Sequence, residues 1–326
     1  MAGRTLCSAV GGQLDQVHQN FSSDLGCHEP YDINCLRNPS ITADKLGKAN
    51  VKLFKNVKQT GLFPIGPSVD KAWIKTIPTL AFSQGKFWPN IKSSIISHCG
   101  NDAQWFTPDS VKTKADFNAF LNTFLPGTKL ASLPQKIANK YDCEGCFKGD
   151  YFNCLRHVIR DISFTCNTRD LINAYPQQAY AMSYGFPNDE LAYHATDLIP
   201  LFANYPLQIP FMLKALRWTH KQVLKWGLKL KNKVVPTFLK YFASFAVGGN
   251  PNSAGEAEWP VVNTTGPLFS NVMNPSAGVW ALINDTQNAA DTCSFWNDTA
   301  QAIMEAQGSS GEKTDVYTDG NVQEEL

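Results

Sequence analysis

His194 is the residue whose setting best suits chemistry. It lies in Ala192-Tyr-His-Ala-Thr-Asp197-Leu198, shortly after Tyr180-Ala-Met-Ser-Tyr-Gly-Phe-Pro187. Alternation in the latter puts Tyr180, Met182, Tyr184 and Phe186 on one face and Ala179, Ala181, Ser183 and Gly185 on the other, as in a strand packed on a core. A histidine on a loop past a strand end, with Asp197 three residues on, can act as a general base oriented by its neighbours. The same spacing also suits a loop histidine that only hydrogen-bonds backbone. A second strand end carries Asp102. Ile91-Lys-Ser-Ser-Ile-Ile-Ser97 reads as extended and runs into His98-Cys-Gly-Asn-Asp102, where Gly100-Asn101-Asp102 is turn chemistry. An aspartate there either caps its own turn or faces a partner from elsewhere.

The cysteines offer a rival centre. Cys143, Cys146, Cys154 and His157 are spaced C-x2-C-x7-C-x2-H, which suits a tetrahedral zinc site or, alternatively, local disulfides. Cys27 and Cys35 bracket a short loop that a disulfide would staple, or they are two unpaired thiols. Four sequons, at Asn20, Asn263, Asn284 and Asn297, together with nine cysteines, favour an oxidising, secretory compartment and disfavour thiolate zinc. Met1-Ala-Gly-Arg-Thr-Leu-Cys-Ser8 nevertheless lacks the apolar stretch of a signal peptide. The expectation is that the sequons and cysteines are coincidental or that the true start lies upstream; the odd cysteine count favours the latter.

The 326 residues, with 43% apolar content, can bury one large α/β domain or two ordinary ones. Basic and acidic residues, 29 against 28, nearly cancel, which excludes the strongly basic balance of a nucleic-acid binder. No apolar run reaches membrane-spanning length, so no transmembrane segment is expected. Residues 13–27 have helical spacing, 63–85 read as a long proline- and glycine-rich loop, and 109–141 read as helical. A helix beginning at Asp161 leads into the strand before His194, and Val279-Trp-Ala-Leu-Ile283 is a further strand. Residues 208–246 read as a long helix with Lys214, Arg217, Lys221, Lys225 and Lys229 on one side. Its part from 211 to 231 is either a lipid-facing surface or an ordinary solvated face. Residues 1–306 are expected to form the folded portion and 307–326 a disordered acidic tail.

Together these pieces resemble the type-B carboxylesterase and lipase family, the cholinesterase-like α/β-hydrolases, and its secreted fungal members above all. Cys27 through Cys35-Leu-Arg37 is similar to the family's short disulfide loop, and Ile95-Ile-Ser-His-Cys-Gly-Asn-Asp-Ala-Gln-Trp-Phe106 to the segment bearing the triad acid. Asp102 falls where that family usually has Glu, and Ala103 where it has Gly. His194-Ala-Thr-Asp197 resembles the motif of the catalytic histidine, and Cys293-Ser-Phe-Trp296 the cysteine that pairs with the position of Cys166. The resemblance therefore implies an α/β-hydrolase fold, Asp102 and His194 as acid and base, disulfides Cys27–Cys35 and Cys166–Cys293, an ester substrate and no cofactor. It leaves open the pairing of Cys7, Cys99, Cys143, Cys146 and Cys154.

The family also uses a serine in a Gly-x-Ser-x-Gly elbow, and no serine here has that surrounding; Gly66-Pro-Ser68-Val-Asp70 lacks the final glycine. The expectation is accordingly an incomplete α/β-hydrolase, matching the part after the nucleophile and oxyanion loop and inactive alone. The alternative is a non-catalytic cholinesterase-like binding module.

Overall fold

A strand buried on both faces forms the middle of the molecule. In the computed structural model, which describes residues 11–29, 32–54, 69, 73–124, 132–202, 219–252 and 255–308, this is strand β2, Ala179–Tyr184. It lies beside β1 (Ser94–Cys99) in a sheet completed by β3 (Phe269–Ser276) and β4 (Val279–Asp285), in the order β1-β2-β3-β4. β1, β2 and β3 are parallel, and β4 returns antiparallel to β3. The return is made by Ala277 and Gly278, both at positive φ (52° and 83°), the backbone that a two-residue hairpin turn needs to match strand twist.

Parallel neighbours require long crossovers, and these are helical. Chain order gives α1 (Gly11–Asp24), α2 (Ala43–Phe54), α3 (Pro78–Ser83), α4 (Lys114–Phe124), α5 (Leu133–Tyr141), α6 (Tyr151–Arg160) and α7 (Cys166–Ala174). After β2 come α8 (His220–Lys229) and α9 (Val235–Gly248), and α10 (Ala290–Gly308) follows β4. The alternation read in β2 has a structural meaning on each side. Ala179 and Ala181 pack with Ile172 of α7, whereas Met182 and Tyr184 pack with Phe238 and Tyr241 of α9 and with Trp259. Helices on both faces of a largely parallel sheet make this a three-layer α/β arrangement.

Several local expectations shift. β1 begins at Ser94, three residues later than the sequence suggests, because its register is set by β2: Ser94 lies opposite Ala179 and Cys99 opposite Tyr184. The loop expected over 63–85 contains α3, whose Pro78 sits in the first turn, where a missing N–H costs nothing. The helix expected over 109–141 is two helices, α4 and α5. Asp161–Thr165 is a π-helical turn between α6 and α7, with buried Asp161 accepting from the Tyr141 hydroxyl (2.8 Å) and Thr165 Oγ1 (3.2 Å).

Among the described residues, six cysteines form three disulfides. Cys27 joins Cys35, Cys143 joins Cys154, and Cys166 joins Cys293. The last closes a separation of 127 residues and pins α10 to α7, a constraint worth ~4–5 kcal/mol against the unfolded chain. The zinc reading of Cys143, Cys146, Cys154 and His157 is thereby overturned. Two of its sulfurs are spent on each other, Cys146 is an exposed free thiol, and His157 Nδ1 turns to the Asn153 carbonyl at 2.9 Å. Among the described residues no group of three or more His, Cys, Asp or Glu is placed to hold a metal. Cys7, Ser68, Asp70, Lys214, Arg217 and the tail beyond 308 lie outside the described residues.

Candidate active site

Two loops leave the same end of the sheet, at the carboxyl ends of the adjacent parallel strands β1 and β2, where open α/β sheets display their reactive groups. The ladder between the two strands continues past them. Gly100 N–H donates to the Tyr184 carbonyl, Asn101 N–H donates to the Ala192 carbonyl (both 2.9 Å), and Asn101 forms a parallel bridge with Tyr193. The residues that follow this bridge are Asp102 and His194. The extended ladder thus delivers side by side two groups separated by 92 positions in sequence.

Their side chains meet. His194 Nδ1 donates to Asp102 Oδ1 at 2.7 Å, and Asp102 Oδ2 accepts the Cys99 N–H at 2.8 Å. Asp102 is therefore a turn cap and a histidine partner at once. Asp197, the carboxylate nearest to His194 in sequence, does not orient the ring. Its Oδ2 accepts the Ser97 hydroxyl at 2.9 Å, tying the histidine loop back to β1. Two backbone features permit the approach of the loops. A Cβ on Gly100 would lie 2.6 Å from Asp189 Cα, so only glycine fits, and Ala195 takes a left-handed φ of 64° directly after His194.

Burial differs across the pair: the Asp102 side chain is 4% exposed and that of His194 30%. A buried carboxylate with two N–H donors acts as an acceptor, which places a proton on His194 Nδ1 and leaves Nε2 of the neutral ring as its basic nitrogen. Phe164 and Phe106 wall the imidazole, with centroids 4.9 and 5.4 Å from its own. Phe164 projects from the π-helical turn, a kind of irregularity often found at functional positions. No sequence spacing singles out these two aromatics, because they come from different crossovers.

A second histidine–aspartate pair lies under the first. His98 of β1 bonds Asp285 at the end of β4, Nε2 to Oδ2 at 2.7 Å, with both side chains almost wholly enclosed. Burial pulls the imidazole toward neutrality, but the charge and hydrogen bond of Asp285, with a smaller contribution from Asp102, more than reverse this and push its pKa up to about 9. Asp285 shows the converse: burial favours the protonated carboxyl, and His98 together with the donors Asn288 and Gln287 brings it down to about 2. The available signal was a histidine at an inward-facing strand position, which requires a polar partner.

The fold and this geometry can be set against known proteins. The chain is 24% identical over 296 residues to a secreted lipase of Arthroderma benhamiae, covering 87% of this chain and 51% of that protein. It is 23% identical over 261 residues to carboxylesterase patB of Aspergillus clavatus, covering 78% of this chain and 41% of the relative. The chain spans about half the length of these curated relatives or less. Among solved structures, Aspergillus niger EstA superposes with a TM-score of 0.67 at 16% identity, over 91% of this chain and 57% of that one, which fixes the fold as that of an α/β-hydrolase. The carboxylesterase family model matches residues 1–296. Sheet order, the strand-end loops and this match over nine-tenths of the sequence agree, and the chain belongs to the carboxylesterase family.

Proposed function

We propose that this chain carries the acid–base half of a carboxylic-ester hydrolase, with Asp102 as the acid and His194 as the general base. The observation that supports it is the 2.7 Å bond between a buried carboxylate and the Nδ1 of a part-exposed imidazole at the carboxyl ends of neighbouring parallel strands. In ester cleavage such a base takes the hydroxyl proton of a serine as its oxygen attacks the carbonyl, then returns a proton to the leaving alcohol. Asp102 holds the ring in the working tautomer and stabilises the imidazolium that forms. Aspartate in place of the family's usual glutamate is accommodated here because the turn, capped by Cys99 N–H, brings the shorter side chain within reach.

The nucleophile and the donors for the oxyanion are not supplied by any Gly-x-Ser-x-Gly in this sequence, so the chain by itself is expected to be inactive. Joined to a segment carrying that elbow and an oxyanion loop, it should hydrolyse p-nitrophenyl esters, and His194→Ala should remove the activity. Hydrolysis unaffected by His194→Ala would reject the assignment. The intact pair favours this reading over a non-catalytic module, which has no need of a part-exposed base held by a buried acid.

Two finer features belong to the same proposal. The environment is oxidising and extracellular, supported by the three disulfides and by the exposed sequon asparagines Asn20, Asn263 and Asn284; Asn297 is half-buried on α10. The substrate is a lipid ester met at an interface. In support, α8 exposes Leu224 and Leu228, at 71% and 63%, on the side that carries Lys221 and Lys225.

A further inference from the structure

We propose that His98, held as a buried cation by Asp285, is a positioning residue for the acid side of the site. This rests on Asp102 and His194 being the acid–base pair. Two connections run from the His98–Asp285 pair to the turn that bears Asp102. The first is covalent and short: His98 is the penultimate residue of β1, and Cys99, which caps Asp102 through its N–H, follows it directly. His98 Nδ1 lies 3.3 Å from the Cys99 carbonyl, so both edges of the ring are engaged. The second connection crosses the sheet end. Asp285 Oδ1 accepts Gln287 N–H at 3.0 Å, and the Gln287 side chain donates to the Gly100 carbonyl at 3.0 Å, inside the acid turn.

Charge gives the arrangement its purpose. Asp102, Asp189 and Asp285 reach this region from the β1 turn, the loop before His194 and the end of β4, and each interacts electrostatically with His98. Arg169 of α7, a second cation near Asp285, spends its guanidinium on the carbonyls of Asn288 and Pro267 and lies over the Phe269 ring. Two of these carboxylates, Asp102 and Asp285, are buried, and His98 sets a positive charge against both. His98 thus offsets the negative charge gathered at this end of the sheet and fixes the turn through the same side chain.

The test is a pH titration of the 326-residue chain with isotope-labelled histidine, followed by NMR. The His98 ring should keep its proton through pH 8 and lose it near pH 9, the value its burial beside Asp285 sets. The proton on His194 Nδ1 should show a step in chemical shift or exchange rate with the same midpoint. His98→Gln, which can still donate to Asp285, should abolish that step while leaving the folded signature intact. Asp285→Asn should lower the His98 midpoint by roughly two units or more, since burial then acts without its counterion. A His98 ring neutral at pH 7, or a His194 signal that does not move while His98 titrates, would overturn the proposal. If His98→Gln does not fold, the coincidence of the two midpoints in the unaltered chain decides. Asp102→Ala provides the separate control: its effect on the His194 Nδ1 proton reports the acid–base pair itself, so failure of that pair is told apart from failure of this inference.

Discussion

Two histidine–aspartate pairs with the same 2.7 Å contact occupy one end of this sheet, and they differ in burial. In His98–Asp285 both side chains are at most 3% exposed, so the pair is a charged clamp with no route to substrate. In Asp102–His194 only the acid is enclosed, and the imidazole keeps 30% of its surface. On the proposed reading, the same contact serves structure in one place and proton transfer in the other. What separates the two is how much of the ring the neighbouring loops leave open. For His194, the left-handed turn at Ala195 and the walls Phe106 and Phe164 set that opening.

The largest effect expected from breaking this contrast is catalytic. In a polypeptide that supplies the serine, His194→Ala should lower ester hydrolysis by ~10^4- to 10^6-fold, measured as kcat/KM on p-nitrophenyl esters, and Asp102→Asn by ~10^4-fold. His98→Gln should act more weakly and chiefly through the pH profile, because it touches no reacting atom. Equal losses at positions 98 and 194 would erase the distinction between clamp and base.

Next in size is stability. Removing Cys166–Cys293 by serine substitution should destabilise the chain by ~4 kcal/mol in denaturant unfolding, loosening α10 from α7 without moving either pair. The clamp should also show itself as a pH dependence of stability. The His98 pKa is raised from 6.5 to about 9, so its contribution is fully present below pH 6.5 and is lost as pH rises through 9. Asp285, lowered from 3.8 to about 2, contributes above pH 3.8 and loses that contribution as pH falls through 2. Unfolding curves from pH 6 to 10 should therefore lose ~3 kcal/mol, a loss that His98→Gln flattens. A flat profile in the unaltered chain would mean that the buried pair is not charged.

The smallest effect concerns the surface. Neutralising Lys221, Lys225 and Lys229 should weaken co-sedimentation with anionic vesicles by ~1 kcal/mol for each charge that approaches the lipid surface. Unchanged co-sedimentation would leave α8 as an ordinary solvated helix.

Much of this was legible in the sequence, for identifiable reasons. The alternation from Ala179 to Phe186 reports a strand because side-chain direction has a period of two, and turn residues after β1 mark the loop that carries Asp102. The Asp102–His194 contact was not legible from spacing, which pointed to the nearer Asp197; the contact depends on ladder pairing between strands far apart in sequence. Resemblance to a family supplied what spacing could not. The cysteine pattern near residue 150 misled in one of its two readings, since C-x2-C spacing does not say whether a sulfur meets a metal or another sulfur. The clamp was invisible because Asp285 lies 187 positions from His98, at the end of a strand on the opposite edge of the described sheet.

On the proposed reading, Asp102 fixes the histidine so that Nε2 is its basic nitrogen. Nitrogen-15 NMR of the His194 ring reads the tautomer directly. The Nδ1–H form is expected, with that preference lost in Asp102→Ala. A ring protonated on Nε2 in the unaltered chain would contradict it.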